Sequence, residues 1–306
     1  MLALLLNNNF FYMITILTPT YNRASQLKTL YNSLCKQTNY NFEWIIIDDG
    51  STDGTNKIID SFNNKNFPIT YKLKSNGGKH TAMNYSHQFI KGECVIIVDS
   101  DDYLEENAIE IIINDWEQYK NNQDIAILSY VRKTKDGVNI SQSSYGLYLI
   151  DDDINYRVNK NINGDRCEVV RSSIFTKYKM PEFKGEKFMG EGWLWTTIAK
   201  KYKTVYINKG IYICEYLEGG LTKSGRLFRM RNPLGMMENC RVYMDKPVCL
   251  RVRIKETLLY GVYMLCSSNS IFDTIKKSRH IWSVLMMFPF SIFLYIYWKY
   301  KYGYKK

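Results

Sequence analysis

One acidic segment has the residue types and spacing of a metal site. Asp99, Asp101 and Asp102 lie within four residues, directly after the apolar run Cys94–Val98. Carboxylates this close repel one another unless a cation lies among them. Oxygen ligands suit Mg²⁺ or Mn²⁺, which usually bridge to substrate phosphates. Acidic surface turns and helix caps share the D-x-D pattern, but its position after an apolar strand favours a metal site.

A second acidic segment, Asp48–Ser51, follows the apolar run Phe42–Ile47. Asp49 is a candidate to accept the ring N–H of a pyrimidine base. The same residues equally suit an Asp-Gly turn that leads into the N-cap of a helix at 55–62. The residues alone leave both interpretations open.

A third polar segment, Thr18–Arg23, ends the first apolar run. Tyr21 is able to stack on a base and Arg23 to face phosphate, while Pro19 stiffens the turn. Taken by itself, this segment is also compatible with an ordinary loop.

Alternating strand and helix patterns predict the elements that position these segments. Short apolar runs separated by helical periodicity indicate an α/β fold with a mostly parallel sheet and helices on both faces. Ligands of such sheets bind beyond the carboxyl ends of the strands, so the three segments are expected to form one site. The predicted strands are Ile14–Thr18, Phe42–Ile47, Ile69–Leu73, Cys94–Val98 and Ile125–Ser129, and the predicted helices span 55–62, 78–90 and 104–119.

Beyond residue 130 the pattern loosens. We expect short strands at 145–149, 168–170, 205–207 and 212–214, and a helix at 193–201. The predicted organisation is a dispensable leader or mis-called start at 1–12, a catalytic α/β domain at 13–220 with halves 13–130 and 131–220, and a basic helical region at 221–306.

Charge is distributed unevenly along the chain. From Thr222 onward there are sixteen Lys and Arg against four acids, whereas the rest of the chain is close to neutral. A basic tail behind a neutral body indicates an anionic partner, either a membrane surface or a nucleic acid. The tail's charges surround an aromatic apolar block instead of lying along a solvated face, which disfavours nucleic acid.

That block, residues 281–298, contains no charge. As a helix it would span about 27 Å, and Pro289 is expected to kink or break it. Basic residues flank both sides, so both ends prefer the cytoplasmic face. We therefore predict a re-entrant or in-plane hairpin at the inner face of the cell membrane, with a buried core helix as the soluble alternative.

The seven cysteines are scattered and none is spaced C-x-x-C. This pattern provides neither a disulfide framework nor a zinc site, and it fits a reducing compartment such as the cytoplasm. No G-x-G-x-x-G follows the first strand and no P-loop is present, which argues against a nicotinamide dehydrogenase and a P-loop NTPase.

Four segments taken together resemble the family 2 glycosyltransferases with the GT-A fold, of the type that builds bacterial cell-surface polysaccharides. They are ITILTPTYNR, FEWIIIDDGSTDGT, NGGKHTAMNYS and CVIIVDSDDYL, in this order within residues 13–130. The resemblance continues more loosely to about residue 220, and it implies that 13–130 is the nucleotide-sugar half and 131–220 the acceptor half of the predicted domain.

The resemblance implies a role for each matching residue. Asp49 would contact the base of a nucleotide-sugar, usually uracil, beside a nucleoside pocket lined by Pro19, Tyr21 and Arg23. Asp101 would bind Mg²⁺ or Mn²⁺ directly, with Asp99 near the ribose or beside the metal. The remaining donor-binding candidates are Asn76, Lys79 and Ser100, with Lys79 expected to meet phosphate or sugar hydroxyls.

The resemblance also implies a carboxylate base at the start of a helix beneath the acceptor. Family members usually have a Glu-Asp pair there, but Gly192 stands in the position of the Asp. Glu191 is the first candidate for the base and Glu186 the second. The alternative for Glu191 is a favourable interaction with the N-terminus of the following helix.

These implications predict an inverting, metal-dependent glycosyltransferase. It would move a sugar from a nucleotide-sugar, with UDP as the expected nucleotide, to a glycan or lipid-linked glycan acceptor at the membrane surface. The alternative is a non-catalytic protein of the same fold that binds nucleotide-sugars or polysaccharide. The Gly-rich basic loop at 216–226 would either close over the diphosphate through Lys223 or Arg226, or serve as a linker.

Overall fold

A single mixed sheet forms the centre of the part of the chain before residue 215. The computed structural model describes residues 12–63, 65–141, 146–214 and 225–305. Nine strands of these residues pair in the order β3-β2-β1-β4-β8-β6-β9-β5, and β7 pairs with β9. The strands are β1 (Tyr12–Thr20), β2 (Phe42–Asp48), β3 (Ile69–Leu73), β4 (Gly92–Ile97), β5 (Tyr103–Leu104), β6 (Ile125–Thr134), β7 (Tyr148–Asp151), β8 (Arg166–Arg171) and β9 (Lys203–Cys214).

The first four strands along the chain are parallel to one another, as the sequence predicts. β1 lies between β2 and β4, and β3 pairs with the outer side of β2. Every residue of β2 is buried, which explains its nearly continuous apolar sequence. The chain leaves β1 toward β2 and later returns to its other side as β4. The topological switch point therefore lies between the carboxyl ends of β1 and β4.

Beyond β4 the sheet becomes mixed. β8 runs antiparallel to both β4 and β6, whereas β6 and β9 are parallel. The predicted strands 205–207 and 212–214 are one continuous strand, β9, whose register against β6 shifts in between. Its far end also pairs with the short strand β5, so the helix predicted from residue 104 begins only at Ala108.

Helices cover both faces of the sheet, which confirms the predicted α/β class. One face packs against α1, α2 and α4, and the other against α3, α5 and α6. The helices are α1 (Ala24–Cys35), α2 (Thr55–Asp60), α3 (Lys79–Ser86), α4 (Ala108–Tyr119), α5 (Ser172–Phe175), α6 (Gly192–Ala199), α7 (Gly225–Met230), α8 (Pro233–Val242), α9 (Leu250–Cys266), α10 (Ile271–Lys277) and α11 (Ile281–Tyr302), with a π-helical turn at Ile154–Asn159.

The basic C-terminal region is helical, as predicted, and has its own core of Met, Tyr and Trp side chains. Its last helix, α11, packs along α9. Val284, Ser291 and Trp298 are the buried residues of α11 and recur every seven positions. The Ser291 hydroxyl donates to the carbonyl of Leu258 on α9. A side chain at Gly261 of α9 would overlap Ser291, so the two helices approach closely there.

The hairpin predicted for residues 281–298 is wrong, because α11 is one uninterrupted helix of 22 residues. Pro289 lies inside it on the exposed side. The stripe that packs on α9 has members on both sides of Pro289, and this packing holds the helix together across the proline. Among the described helices, α11 is the one long and apolar enough to cross a membrane, and 17% of its most apolar window is buried.

Candidate active site

The carboxyl ends of β1, β2 and β4 bring the three polar segments together. Thr20 stands in register with Asp48, and the Asp49 amide donates to the Thr20 carbonyl at 2.8 Å. The loops are also joined through Asn22, whose amide donates to Ser51 Oγ and whose Oδ1 accepts from Thr52 N, both at 2.8 Å. The predicted clustering at one sheet edge is therefore observed.

A lysine joins the D-x-D segment to the first candidate base. Lys79, the first residue of α3, forms ion pairs with Asp99 and, at 2.7 Å, with Glu191 Oε1. Desolvation acts to lower the pKa of Lys79, but the charges of Asp99 and Glu191 outweigh it and raise the pKa. The ammonium therefore stays charged between two carboxylates that come from opposite halves of the predicted catalytic domain.

The two carboxylates of the D-x-D segment differ in their surroundings. Burial acts to raise the pKa of Asp99, but Lys79 and Arg132 overcome this effect and hold it below its usual value. Asp101 faces Arg23 at 4.0 Å, and its pKa is raised by burial and by the Asp99 charge. Asp101 is thus the carboxylate whose negative charge is less well compensated by the protein.

This donor set fits a divalent ion that is completed by substrate phosphates. Within the described ranges, no group of three or more His, Cys, Asp and Glu side chains is arranged to hold an ion. Mg²⁺ and Mn²⁺ sites of enzymes acting on nucleotides commonly use one or two carboxylates plus phosphate oxygens. Asp101, with Asp99 beside it, supplies that number.

The Asp49 carboxylate is surrounded by four hydrogen-bond donors. Its Oδ1 accepts from Lys74 Nζ at 2.6 Å and Gly77 N at 2.9 Å, and its Oδ2 accepts from Gly78 N at 2.6 Å and Asn76 Nδ2 at 3.2 Å. All four lone-pair positions of the carboxylate are engaged. For Asp49 to read a base, as predicted, one of these donors must give way.

The Asn76–Gly78 loop that binds Asp49 also touches the acceptor half. It lines a cavity of about 250 Å³ together with Thr81 and the segment Glu182–Lys187. Gly78 has φ +95°, and a side chain there would overlap the Lys187 carbonyl. Asn84, later in the same motif, binds the Met180 backbone: its Nδ2 donates to the Met180 carbonyl and its Oδ1 accepts from Met180 N. These bonds join α3 to the second half of the predicted domain.

Glu186, the second candidate base, is committed to another contact. Its Oε1 accepts from Leu234 N at 2.7 Å and its Oε2 from Gly235 N at 2.8 Å. These are the first free N–H groups of α8, since Pro233 has none. Glu186 therefore caps α8, and Glu191 is the carboxylate that lies beside the D-x-D segment.

Of the remaining predicted residues, three lie at or just after the ends of β1 and β4, whereas the two from the loop at 216–226 are not placed at this centre. Pro19 and Ser100 are buried at the ends of β1 and β4, and Tyr21 is 48% exposed at the rim. Arg226 packs its guanidinium 4.2 Å from the Trp298 ring centroid on α11, and Lys223 lies outside the described residues.

Two supporting residues escaped the sequence analysis. The Tyr212 hydroxyl of β9 accepts from Asp99 N at 3.0 Å and donates to Asp102 Oδ2 at 2.8 Å, which fixes the acidic turn. Arg132 of β6 stacks on the Tyr212 ring and lies 4.0 Å from Asp99. Arg132 comes three residues after the predicted strand Ile125–Ser129 and was detectable on that ground, whereas nothing in the sequence distinguishes Tyr212 from other strand tyrosines.

Comparison with known families agrees with this geometry. The model of the family described as "Glycosyl transferase family 2" matches residues 15–179. The chain belongs to this family. It is 28% identical over 225 residues to glycosyltransferase GlyA of Streptococcus pneumoniae serotype 4, a match that covers 69% of this chain and 31% of GlyA. The chain thus spans about a third of the length of this relative.

Solved structures show the GT-A fold of this glycosyltransferase. S. aureus TarS residues 1–349 in complex with UDP-GlcNAc superimposes with a TM-score of 0.64 at 19% identity, covering 83% of this chain and 72% of the TarS 1–349 chain. The mannosyltransferase PcManGT from Pyrobaculum calidifontis, in complex with GDP-Man and Mn²⁺, gives 0.57 at 14% identity, covering 93% and 86%. The comparisons thus establish the family and the fold, whereas the donor, the metal ion and the acceptor have to be inferred from the residues of the site.

Proposed function

We propose that this glycosyltransferase is inverting and metal-dependent, and that it transfers a sugar from a nucleotide-sugar, UDP-linked in the first instance, to a glycan or lipid-linked glycan acceptor in surface polysaccharide synthesis. The observation that carries the proposal is the Lys79 bridge. It places a carboxylate of the D-x-D segment and the candidate base Glu191 on either side of one ammonium.

The donor side is built to bind a diphosphate. Asp101, with Asp99, would hold Mg²⁺ or Mn²⁺, which when bound neutralises negative charge on the leaving diphosphate. Arg23 lies beside Asp101 and adds a fixed positive charge there. The bound nucleotides of TarS and PcManGT support a nucleotide-sugar donor, and the Mn²⁺ of PcManGT supports the choice of ion.

The acceptor side needs a group that removes a proton. In the proposed reaction the acceptor hydroxyl gives its proton to the Glu191 carboxylate as its oxygen bonds to the anomeric carbon. The bond from that carbon to the diphosphate oxygen breaks, and the nucleoside diphosphate leaves with the electron pair. A single displacement from the face opposite the leaving group inverts the anomeric configuration. General-base assistance of this kind is worth about 10²–10⁴ in rate.

The C-terminal region supports a location at the cytoplasmic membrane surface. Large apolar side chains of α11 are exposed on the side away from α9, among them Trp282 (82%), Met286 (73%) and Phe293 (73%). Basic residues precede and follow the helix at 276–279 and 299–305. An apolar helix face with basic flanks fits a helix lying in the plane of an anionic membrane surface. In this arrangement α11 keeps its packing on α9 while its outer face enters the lipid.

The deciding experiment is UDP binding with Mn²⁺ or with EDTA, in the wild type and in Asp101→Ala. The matched control is Asp124→Ala, since the Asp124 side chain is exposed and lies outside the site. We expect binding that needs the metal, that is lost in Asp101→Ala and that persists in Asp124→Ala. Slow release of UDP from UDP-GlcNAc, or of GDP from GDP-mannose, would then identify the donor class. Binding that ignores both the metal and Asp101 would contradict the site assignment.

A further inference from the structure

The C-terminal helical region contacts the segment that carries the candidate base along its whole length. The contacts follow one face of α8 and its extension, at positions spaced three, four and four residues apart. Asn232 Oδ1 accepts from Lys187 N at 2.8 Å, and a side chain at Gly235 would overlap the Phe188 carbonyl. Farther along, Asn239 faces Gly190 and Tyr243 faces Gly192.

Gly192 stands where relatives are expected to have the Asp of a Glu-Asp pair, and space explains the glycine. Its φ does not fall in the left-handed region, so the backbone alone would accept any residue. A Cβ at this position would lie only 2.5 Å from the Tyr243 hydroxyl. The next nearest atoms, Tyr243 Cζ and Asn239 Oδ1, are at the ordinary distances of 3.6 and 3.7 Å. Any side chain at position 192 therefore requires this one oxygen atom to move.

Gly190 is restricted in the same way from the same helix. A Cβ there would lie 2.8 Å from Asn239 Oδ1. This oxygen is buried and has no hydrogen-bond partner among the described residues. Two polar side chains of the α8 face are thus directed at the two glycines that flank Glu191.

We infer that the α8 face formed by Asn232, Asn239 and Tyr243 supports the segment beneath the acceptor, and that it positions Glu191 as the sole carboxylate base there. The Tyr243 hydroxyl takes up the space of the carboxylate that position 192 lacks. The catalytic meaning of this inference rests on the proposed function.

Tyr243 acts as a positioning residue and not as a second base. Burial raises the pKa of Tyr243 to about 12, so its hydroxyl stays neutral at any ordinary assay pH. A neutral hydroxyl is a poor proton acceptor, but it fixes the backbone that leads from Glu191 into α6. Because Tyr243 belongs to the C-terminal region, the position of Glu191 depends on that region.

The test is a double-mutant cycle in the full chain with Gly192→Ala, Tyr243→Phe and the two combined. Gly192→Ala is expected to lower the Tm by about 3–8 °C, because the added methyl group meets the hydroxyl. Tyr243→Phe removes that oxygen, so the combined variant should regain most of the loss. Equal effects of Gly192→Ala in the two backgrounds, or no effect in either, would overturn the inference.

Hydrogen exchange of the peptide covering 186–193 supplies a second readout that needs no substrate. Tyr243→Phe should speed exchange there about tenfold while UDP binding stays at the wild-type level. Tyr130→Phe, which removes a buried hydroxyl of β6, should leave this peptide unchanged. Unchanged exchange in Tyr243→Phe would count against positioning.

Hydrolysis of UDP-GlcNAc or GDP-mannose, whichever the wild type turns over, tests the catalytic part. Tyr243→Phe should lower kcat about tenfold or more at an unchanged KM. Gly192→Asp with Tyr243→Phe restores a Glu-Asp pair and should recover kcat above that of Tyr243→Phe alone. An unaltered kcat in Tyr243→Phe would refute the positioning role. A wild type that turns over neither donor, with the stability cycle intact, would count against the proposed function alone.

Discussion

Glu191 Oε1 lies 2.7 Å from the Lys79 ammonium, so the predicted acceptor half is joined directly to the start of α3. The other candidate carboxylate of this region, Glu186, is turned to the N-terminus of α8 instead. Two glutamates five residues apart in sequence thus have separate tasks.

Substitution of each glutamate by glutamine should distinguish these tasks. Glu191→Gln is expected to lower the rate of sugar transfer by about 10²–10⁴ with UDP affinity unchanged, because it removes the proton acceptor. Glu186→Gln should retain most of the transfer rate but lower the free energy of unfolding by about 1–2 kcal/mol, as removal of a helix cap does. Steady-state kinetics and denaturant unfolding of both variants measure the two effects. A reversed pattern would assign the base to Glu186.

The acidic turn after β4 should depend on the Tyr212 hydroxyl. Tyr212→Phe leaves Asp102 and the Asp99 amide without this partner, so we expect about 1–2 kcal/mol lower stability together with weaker Mn²⁺-dependent UDP binding. Tyr130→Phe is the matched control, since its buried hydroxyl donates to Asp115 at 3.1 Å, away from the site. It should lower stability by a similar amount and leave the Mn²⁺ titration unchanged. Equal Mn²⁺ titrations for the two variants would show that the turn does not need Tyr212.

Stability should fall in mild acid because of His87. Burial, with a smaller effect of Lys179, lowers the pKa of His87 to about 4, and its ring packs edge-on to Phe175 at 4.9 Å. Histidine in an unfolded chain has a pKa of about 6.5, so between the folded and unfolded pKa values the unfolded state binds more protons. The protein therefore has its full stability above the pKa of the unfolded chain. Its free energy of unfolding decreases by up to about 3 kcal/mol as the pH falls to about 4.

His87→Gln should flatten that part of the pH profile. Chemical denaturation of the wild type and the variant at pH 7 and at pH 4.5 makes the comparison. An equally steep loss in both would mean that other groups cause the acid sensitivity.

Membrane association should depend on the outer face of α11. Phe293→Glu places a charge on that face, and we expect it to weaken co-flotation with anionic phospholipid vesicles about tenfold or more. Leu73→Glu is a matched control, because Leu73 is a 59% exposed apolar residue at the end of β3. It should float like the wild type. Equal loss in both variants would indicate non-specific adsorption, and no loss in either would exclude α11 as the contact.

Local patterns in the sequence were sufficient to predict where the three polar segments after β1, β2 and β4 lie. Strand β4 and the carboxylates after it are adjacent in the chain, so their relation depends on hydrogen bonding within the sheet alone. The same holds for β1 and β2 and the loops that follow them. These features use short-range information, and the structure places each of them where it was expected.

The acceptor side depended on long-range contacts that no local pattern encodes. The sequence ranks Glu191 before Glu186 as the base, but the contact that gives Glu186 a separate role comes from a helix that begins nearly fifty residues later. Pro289 was expected to interrupt its helix, but packing on α9 outweighs the local preference. Tyr212 reaches Asp102 across 110 residues, and its contact arises from the pairing of β5 with β9.

The close approach of Gly78 to the Lys187 carbonyl limits how this enzyme can be rebuilt. The two halves of the catalytic domain meet here backbone to backbone, so neither presents a surface that could be trimmed to receive a foreign partner. A chimera that takes its acceptor half from another transferase must therefore bring a main chain of the same path past residue 78. The 250 Å³ cavity that both halves line is therefore better altered by replacing its side chains than by recombining whole segments.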